Sequence, residues 1–231
     1  MQHLVQACIT NVSFPEDMDT LYGMLKKNQG MAGDLDFFLN YAPGNELYWT
    51  APKWLTEGDI LFFYHAATAK QRISSLLKKA TVLNDSNLVV FLKRSKALAD
   101  RYSGTILGYA VVSGQSMFFD EDNEDWHFKG KVFAPLEDVH IFDQPLHSEV
   151  FTQTLQISRQ SALTYLTKNQ FTEIKRLLSL ENTLPIYLAD AEFAEASFKD
   201  ITKDNWISIA CANDTRFALE IQLRSYLLDY F

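Results

Sequence analysis

Cysteine is scarce: Cys8 and Cys211 are the two in 231 residues, far apart and in no metal-ligand spacing. That excludes a disulfide scaffold and a thiolate metal centre, and the pair reads as free thiols in a reducing compartment. Long apolar runs are missing as well. The longest candidate, "DILFFYHAATA" (Asp59–Ala69), falls far short of the roughly 18 residues a membrane helix needs. The opening "MQHLVQACI" has no basic stretch, so nothing marks it for export. The Asn-x-Ser/Thr triplets at Asn11, Asn84 and Asn213 then carry no glycosylation meaning. A soluble cytoplasmic protein is expected. Positive charge is also short, with 21 Lys and Arg against 29 Asp and Glu and a net charge of −8. Phosphate attraction supplies most non-specific affinity for nucleic acid, so any such role must rest on a pocket and a local patch.

The common catalytic signatures are absent too: no phosphate loop, G-x-G-x-x-G, H-E-x-x-H, G-x-S-x-G or C-x-x-C. "DEDNEDWHFKGK" has the acidity of a calcium loop. It carries Asp125 where the turn glycine belongs and Lys131 where the bidentate glutamate belongs, so it reads as a solvated loop. His127, His140 and His147 have no ligand spacing, and neither a metal nor a cofactor is expected.

What is present is apolar and periodic. Hydrophobic residues make up 47%, ample for a packed core. "HLVQACITNV" alternates as an opening strand, and Ser13 and Pro15 introduce a helix to about Asn28. "DILFFYHA", apolar on both faces, reads as a buried strand after the turn Glu57-Gly58-Asp59. "TAKQRISSLLKKA" and "SNLVVFLKRSKALADRYSG" have helical spacing, the second capped by Asp85 or Ser86 and ended by Gly104. From Thr105 strands dominate: "TILGYAVVSG", "DWHFKGKVF" and "LEDVHIFD", then a short helix in "PLHSEVFTQTL" and another capped by Thr167. After Pro185, "DAEFAEASF" reads as helix, "NWISIACAN" as strand, and "DTRFALEIQLRSYLLDYF" as a helix with more apolar surface than one face can bury. The expected class is α+β, a small curled sheet with flanking helices.

Trp49 and Trp54 lie in the aromatic stretch "ELYWTAPKWLTEGD", expected to be irregular, where flat rings have less reason to sit unless they close something. With Tyr48, Tyr64, His65 and Trp126 they could wall a slot for a flipped or single-stranded base, since every base presents a π-face. Core filling and a half-buried strand-end histidine are the structural readings of the same residues. "ISRQSALTYLTKNQF" places Ser158, Arg159 and Gln160 between two apolar pieces, either to meet a ligand or to pair with an acidic neighbour and hold the loop. Lys93, Arg94, Lys96 and Arg101 could contact phosphate or form a solvated helix face.

The segments Gly58–His65, "GTILGYAVV" (Gly104–Val112) and Arg159–Thr167 occur in the order of three signatures of the EVE branch of the PUA-like superfamily, related to YTH and ASCH domains. Over roughly residues 46–180 the chain resembles that family. The resemblance implies a PUA-like curled β-pseudo-barrel for residues 1–180, interrupted by a helical insert at about 68–102, with a C-terminal α/β extension over 181–231. It implies a non-catalytic module that takes a modified or flipped base in an aromatic pocket. Arg159 would meet phosphate or a base edge, while Ser158 and Gln160 would read polar base atoms. Modified DNA is favoured over RNA, in a restriction or defence setting.

Two other classes stay open. ASCH-group relatives suggest a small hydrolase of modified nucleosides, using His65 or a pocket carboxylate. The negative charge and the surplus apolar surface of Phe217–Phe231 suggest a scaffold that dimerises through that helix. "FALEIQLRSYLLDYF" also resembles, at Glu220, Leu223, Arg224, Tyr226 and Leu227, the helix that opens many restriction-endonuclease-type nuclease domains. The acid-and-lysine core of such a nuclease would have to follow Phe231.

Overall fold

A computed structural model of the protein describes residues 3–27, 47–119, 131–155 and 163–194. Two strands open the chain, β1 (His3–Val5) and β2 (Ala7–Val12), then helix α1 (Met18–Lys27). β3 (Leu47–Thr50) and β4 (Ile60–His65) precede a helical pair, α2 (Ala69–Val82) and α3 (Ser86–Tyr102). β5 (Thr105–Val112), β6 (Met117–Phe119) and the long β7 (Lys131–His147) follow. The described remainder is α4 (Ser148–Leu155), β8 (Leu163–Tyr165), α5 (Lys168–Ser179), α6 (Ile186–Asp190) and β9 (Ala191–Phe193).

Seven strands form one mixed sheet in the order β3-β7-β5-β4-β2-β8, with β6 also on β7. The β2–β4 pairing is parallel and the others are antiparallel. β3 and β8 end that order, yet the sheet curls until its ends meet. The Thr10 hydroxyl on β2 donates to the Thr50 carbonyl on β3 at 3.2 Å. Trp54, just past β3, lies 5.4 Å, centroid to centroid, from Tyr165 of β8. The architecture is α+β with a curled half-barrel sheet, as the sequence led us to expect.

Alternation on the pleat divides the central strands between two cores. Ile60, Phe62 and Tyr64 of β4 enter a layer with Tyr109, Phe142 and the α5 residues Phe171, Ile174 and Leu178. Burying each of these large side chains contributes about 1.5–3 kcal/mol. Leu61 and Phe63 face the other way, into the hollow of the curl, with Trp49, Leu107 and Leu136. A third cluster packs α1, α2 and α3 through Leu21, Ile73, Leu76, Leu88 and Leu92.

β7 spans seventeen residues because it bends. Between Ile106 and Gly108 its register on β5 jumps from Leu146 to Ile141, and between Tyr109 and Val111 it shifts again. Asp138, at φ 48°, sits in that second bulge. Bulges of this kind raise local twist and bend a strand, which lets one strand serve both the curl and its rim. "KVF", "LEDVHIFD" and "PLH", expected as separate pieces, are one strand.

Other expectations need correction. The α1 cap is Asp17, whose carboxylate accepts the Thr20 amide at 2.8 Å, rather than Ser13. "LYWT" is strand β3, since an aromatic run that pairs with β7 outweighs the flanking prolines. "AEF" pairs parallel with β1 as β9 instead of continuing a helix. Leu188 and Ala191 are buried in one cluster with Phe171, Ile174 and Leu178 of α5. The expected strand "NWISIACAN", the helix over Phe217–Phe231 and the acidic loop 120–125 lie outside the described residues.

Gly108 is where β5 passes closest to β7: a Cβ there would stand 2.3 Å from the His140 carbonyl oxygen. Backbone cannot yield as a flexible side chain can. Gly108→Ala should therefore cost on the order of 3 kcal/mol or more in urea denaturation. A change below about 0.5 kcal/mol would contradict the close approach.

Candidate nucleic-acid interface

The turn between β3 and β4 carries the aromatic residue best placed for a ligand. Ala51 donates its amide to Val132 O at 3.1 Å, and Leu55 N closes a turn onto Pro52 O at 3.3 Å. Ser116 donates through Oγ to Leu55 O at 3.1 Å. Lys53 and Trp54 occupy the middle of this turn, Lys53 exposed and Trp54 half-buried. The Lys53 ammonium lies 5.1 Å above the Phe118 ring on β6, and Phe118 is itself exposed. On the opposite side the Trp54 ring tilts 35° against Tyr165. The indole Nε1 of Trp54 is buried and has no hydrogen-bond partner among the described residues. A buried donor left unpaired costs about 1–3 kcal/mol, so this group is suited to an incoming acceptor.

Asp59 fixes that turn from below. Its carboxylate accepts the Gln6 amide at 2.7 Å, the Thr56 amide at 2.8 Å and the Thr56 hydroxyl at 3.2 Å. Burial raises the Asp59 pKa, and the three hydrogen bonds only partly offset that rise. Gly58, at φ +90°, supplies the left-handed backbone of the approach, and its carbonyl accepts the Tyr187 hydroxyl at 2.7 Å. The Gly-Asp pair of the first signature is thus a structural node.

The end of that signature meets the start of the second. Gly104 N donates to His65 O at 2.7 Å, and Gly104 takes φ +77°. His65 is fully buried, with Nδ1 3.2 Å from the Ser103 hydroxyl and Nε2 unpartnered among the described residues. Burial pushes its pKa down to about 4, so the ring is neutral at pH 7. The hydroxyl neighbour is not the carboxylate or lysine that acid–base chemistry at His65 would call for.

The expected aromatic slot is therefore dispersed. Trp49 is 8% exposed and packs edge-on to Phe63 at 5.1 Å inside the curl. Tyr64, 2% exposed, enters the core on the other face of the sheet, so it and Trp49 cannot line one pocket. Tyr48 alternates with Trp49 along β3 and is half-buried. Strand pleat, invisible while this segment reads as irregular, is the reason. Trp126, Ser158, Arg159 and Gln160 lie outside the described residues. The flanks of residues 156–162 are held: Gln170 Nε2 donates to Leu155 O at 3.0 Å, and Leu166 N donates to Ala7 O at 3.2 Å. Tyr165, Lys53 and Phe118 were not anticipated. The triplet "LTY" between Arg159 and Thr167 is too short to mark a strand by itself; its pairing with β2 places Tyr165 there.

The four basic positions of α3 differ in circumstance. Lys93 and Arg94 are exposed, Arg101 lies 5.0 Å over the Tyr102 ring, and Lys96 binds Asp100 at 2.8 Å. Residues 68–104 hold eight Lys and Arg against two Asp, a net of +6 within a chain of −8, which leaves −14 elsewhere. The patch that an acidic chain would need to approach phosphate is thus concentrated on one helical pair. Among the described residues no group of His, Cys, Asp and Glu is placed to hold a metal ion, and no helix is long and apolar enough to cross a membrane.

No family model and no curated protein matches the chain. Among solved structures, it is similar to the human THYN1 protein in complex with 5-methylcytosine-containing DNA. That likeness has a TM-score of 0.42 and 10% identity over 78% of this chain and 99% of that one, too distant to assign fold family or function.

His65 gives a test of this packing. An unfolded histidine titrates near 6.5, so the unfolded chain binds more protons than the native one from about pH 6.5 down to about 4. Stability should fall across that window by about 3 kcal/mol and level off below it. Asp59, whose pKa is raised, acts with the opposite sign, because protonation in the folded state relieves its burial as pH falls. Urea melts at several pH values should show His65→Gln removing the loss and Asp59→Asn leaving it in place.

Proposed function

We propose that the protein is a nucleic-acid-binding module of the PUA-like, EVE type that accepts a single modified or flipped base at the seam of its curled sheet. The observation that carries this reading is the Trp54–Tyr165 pair, with the unpartnered Trp54 indole N–H, where the two ends of the strand order meet. Tyr165 lies within the third signature, Arg159–Thr167, and Trp54 shortly precedes the first.

A base sandwiched between two rings needs their planes about 7 Å apart, two stacking distances. With centroids 5.4 Å apart and planes tilted by 35°, the Trp54 and Tyr165 rings lie against each other with no such gap. A base must then lie on the outer side of the pair or part the rings, and the buried indole N–H would meet its acceptor only where the rings part. Arg159 and Gln160 are proposed to meet its backbone and polar edge, and the basic residues of α3 the flanking phosphates. Modified DNA is the proposed partner, and service as the reader of a restriction or defence protein is the finer part of the proposal. That part rests on the nuclease-like sequence pattern at Glu220–Leu227.

Fluorescence anisotropy with labelled duplexes carrying cytosine, 5-methylcytosine, adenine or N6-methyladenine tests the reading. One modified duplex should bind at least about tenfold more tightly than its unmodified twin, and Trp54→Ala should weaken that complex by about 1–3 kcal/mol. Equal affinity for all the duplexes, or undiminished selectivity in both Trp54→Ala and Tyr165→Ala, would remove the base site from the seam.

A further inference from the structure

We propose that the outer face of the α2–α3 hairpin is a docking surface for the sugar–phosphate backbone of a nucleic-acid duplex, and that Asp100 sets its strength by holding Lys70 and Lys96. The inference rests on the nucleic-acid reading above and adds to it a second element, a partner form and a residue that tunes affinity.

The helices present this face together. Ile73, Leu76 and Ala80 of α2 and Leu88, Leu92 and Ala99 of α3 are buried in one cluster with α1, which leaves the opposite sides of both helices in solvent. The Lys70–Asp100 contact, 2.6 Å, joins the start of α2 to the end of α3, so the helices run antiparallel side by side. Lys78 and Lys79 of α2 and Lys93, Arg94 and Arg101 of α3 are exposed. Lys93, Arg94, Ala97 and Arg101 share helical spacing on the side away from the buried row.

Both acidic residues of the hairpin are already engaged. Asp85 caps α3 by accepting Leu88 N at 3.0 Å, and it accepts the Tyr22 hydroxyl at 3.1 Å. Asp100 takes one lysine on each oxygen, Lys70 at 2.6 Å and Lys96 at 2.8 Å. Arg72 pairs with Glu16 and donates to Phe14 O at 3.2 Å, which commits it to the segment that leads into α1.

The dimensions favour a duplex. The seventeen residues of α3 extend about 25 Å at the rise of an α-helix. That length covers some seven base pairs of B-form DNA, along which phosphates stand in a regular row. The C-terminal end of α3 carries Leu98 and Tyr102 into the cluster against which Trp54 also packs, so the basic face and the seam rest on one core. The tip exposes Val82, Leu83 and Val90, but Asn84, Ser86 and Asn87 between them are exposed polar groups that an acyl layer would have to dehydrate.

The test is a salt titration of binding to an unmodified duplex longer than the hairpin, with phosphatidylserine–phosphatidylcholine vesicles in parallel. Asp100→Asn should bind the duplex severalfold more tightly and steepen the log–log salt slope by up to about two units, because two cations are released to phosphate. Lys78→Ala with Lys79→Ala should weaken binding and flatten the slope by about two units. Far-ultraviolet circular dichroism and melting temperature establish that each variant is folded. Unchanged slopes in both variants, or Asp100→Asn strengthening vesicle binding alone, would overturn the proposal. Loss of preference for a modified base with these slope changes intact would defeat the seam and leave the hairpin. Preserved preference with unchanged slopes would do the reverse.

Discussion

The buried carboxylate of Asp59 is the interaction on which the arrangement depends. Its three hydrogen bonds reach the break between β1 and β2 at Gln6 and the turn at Thr56, while its own backbone carbonyl accepts Val112 N at 2.8 Å from the end of β5. One side chain thereby sets the parallel register of β2 on β4, the entry to β4 and the seat of the turn that displays Trp54. Gly58 beside it allows the left-handed backbone and gives α6 an anchor through Tyr187. Removing one member of such a network leaves the others buried and unpaired, which is why a Gly-Asp pair at this position can be required without ever touching a ligand.

The curl follows from where the strands are irregular. β5 has an extra residue, Leu107, opposite β4, and β7 bulges against β5 on both sides of Gly108. The sheet bends there, and the absence of a side chain at Gly108 lets β7 approach. Rolling the sheet brings β2 and β3 within hydrogen-bonding distance at Thr10 and Thr50. The seam is therefore a product of defects in the ladder near the centre of the sheet, some distance from the residues that line it.

Legibility in the sequence tracked element length and period. α3 could be read from Leu88, Phe91, Leu92, Leu98, Ala99 and Tyr102 on one broad face, with Asp85 or Ser86 as cap and Gly104 after it; Asp85 is the cap, and Phe91 and Leu98 are half-buried while the other four are buried. α5 announced itself through Thr167, and its capping box with Gln170 is complete. The three-residue strands β6, β8 and β9 carry too little pattern to be read alone, since each exists through pairing with a distant partner. The candidate site suffered for the same reason. Composition drew Tyr48, Trp49, Tyr64 and His65 together because they are aromatic and near in sequence, whereas pleat and burial send them to different faces. Trp54 lies in a turn, as the punctuation around it, Pro52 and Gly58, indicates.

The helical pair would reconcile an acidic chain with the proposed nucleic-acid role. Charge of +6 confined to residues 68–104 is not diluted by the −14 elsewhere, because interactions beyond about 8–10 Å are largely screened at physiological salt. What a phosphate row meets is the local face, while the acidic remainder disfavours every other orientation. Leu98 and Tyr102 pack into the cluster that Trp54 also packs against, so the helical face and the seam are carried by one core. Carried on one core, the proposed backbone contact and the proposed base contact would be parts of one binding event, in which the first lowers the entropic cost of the second.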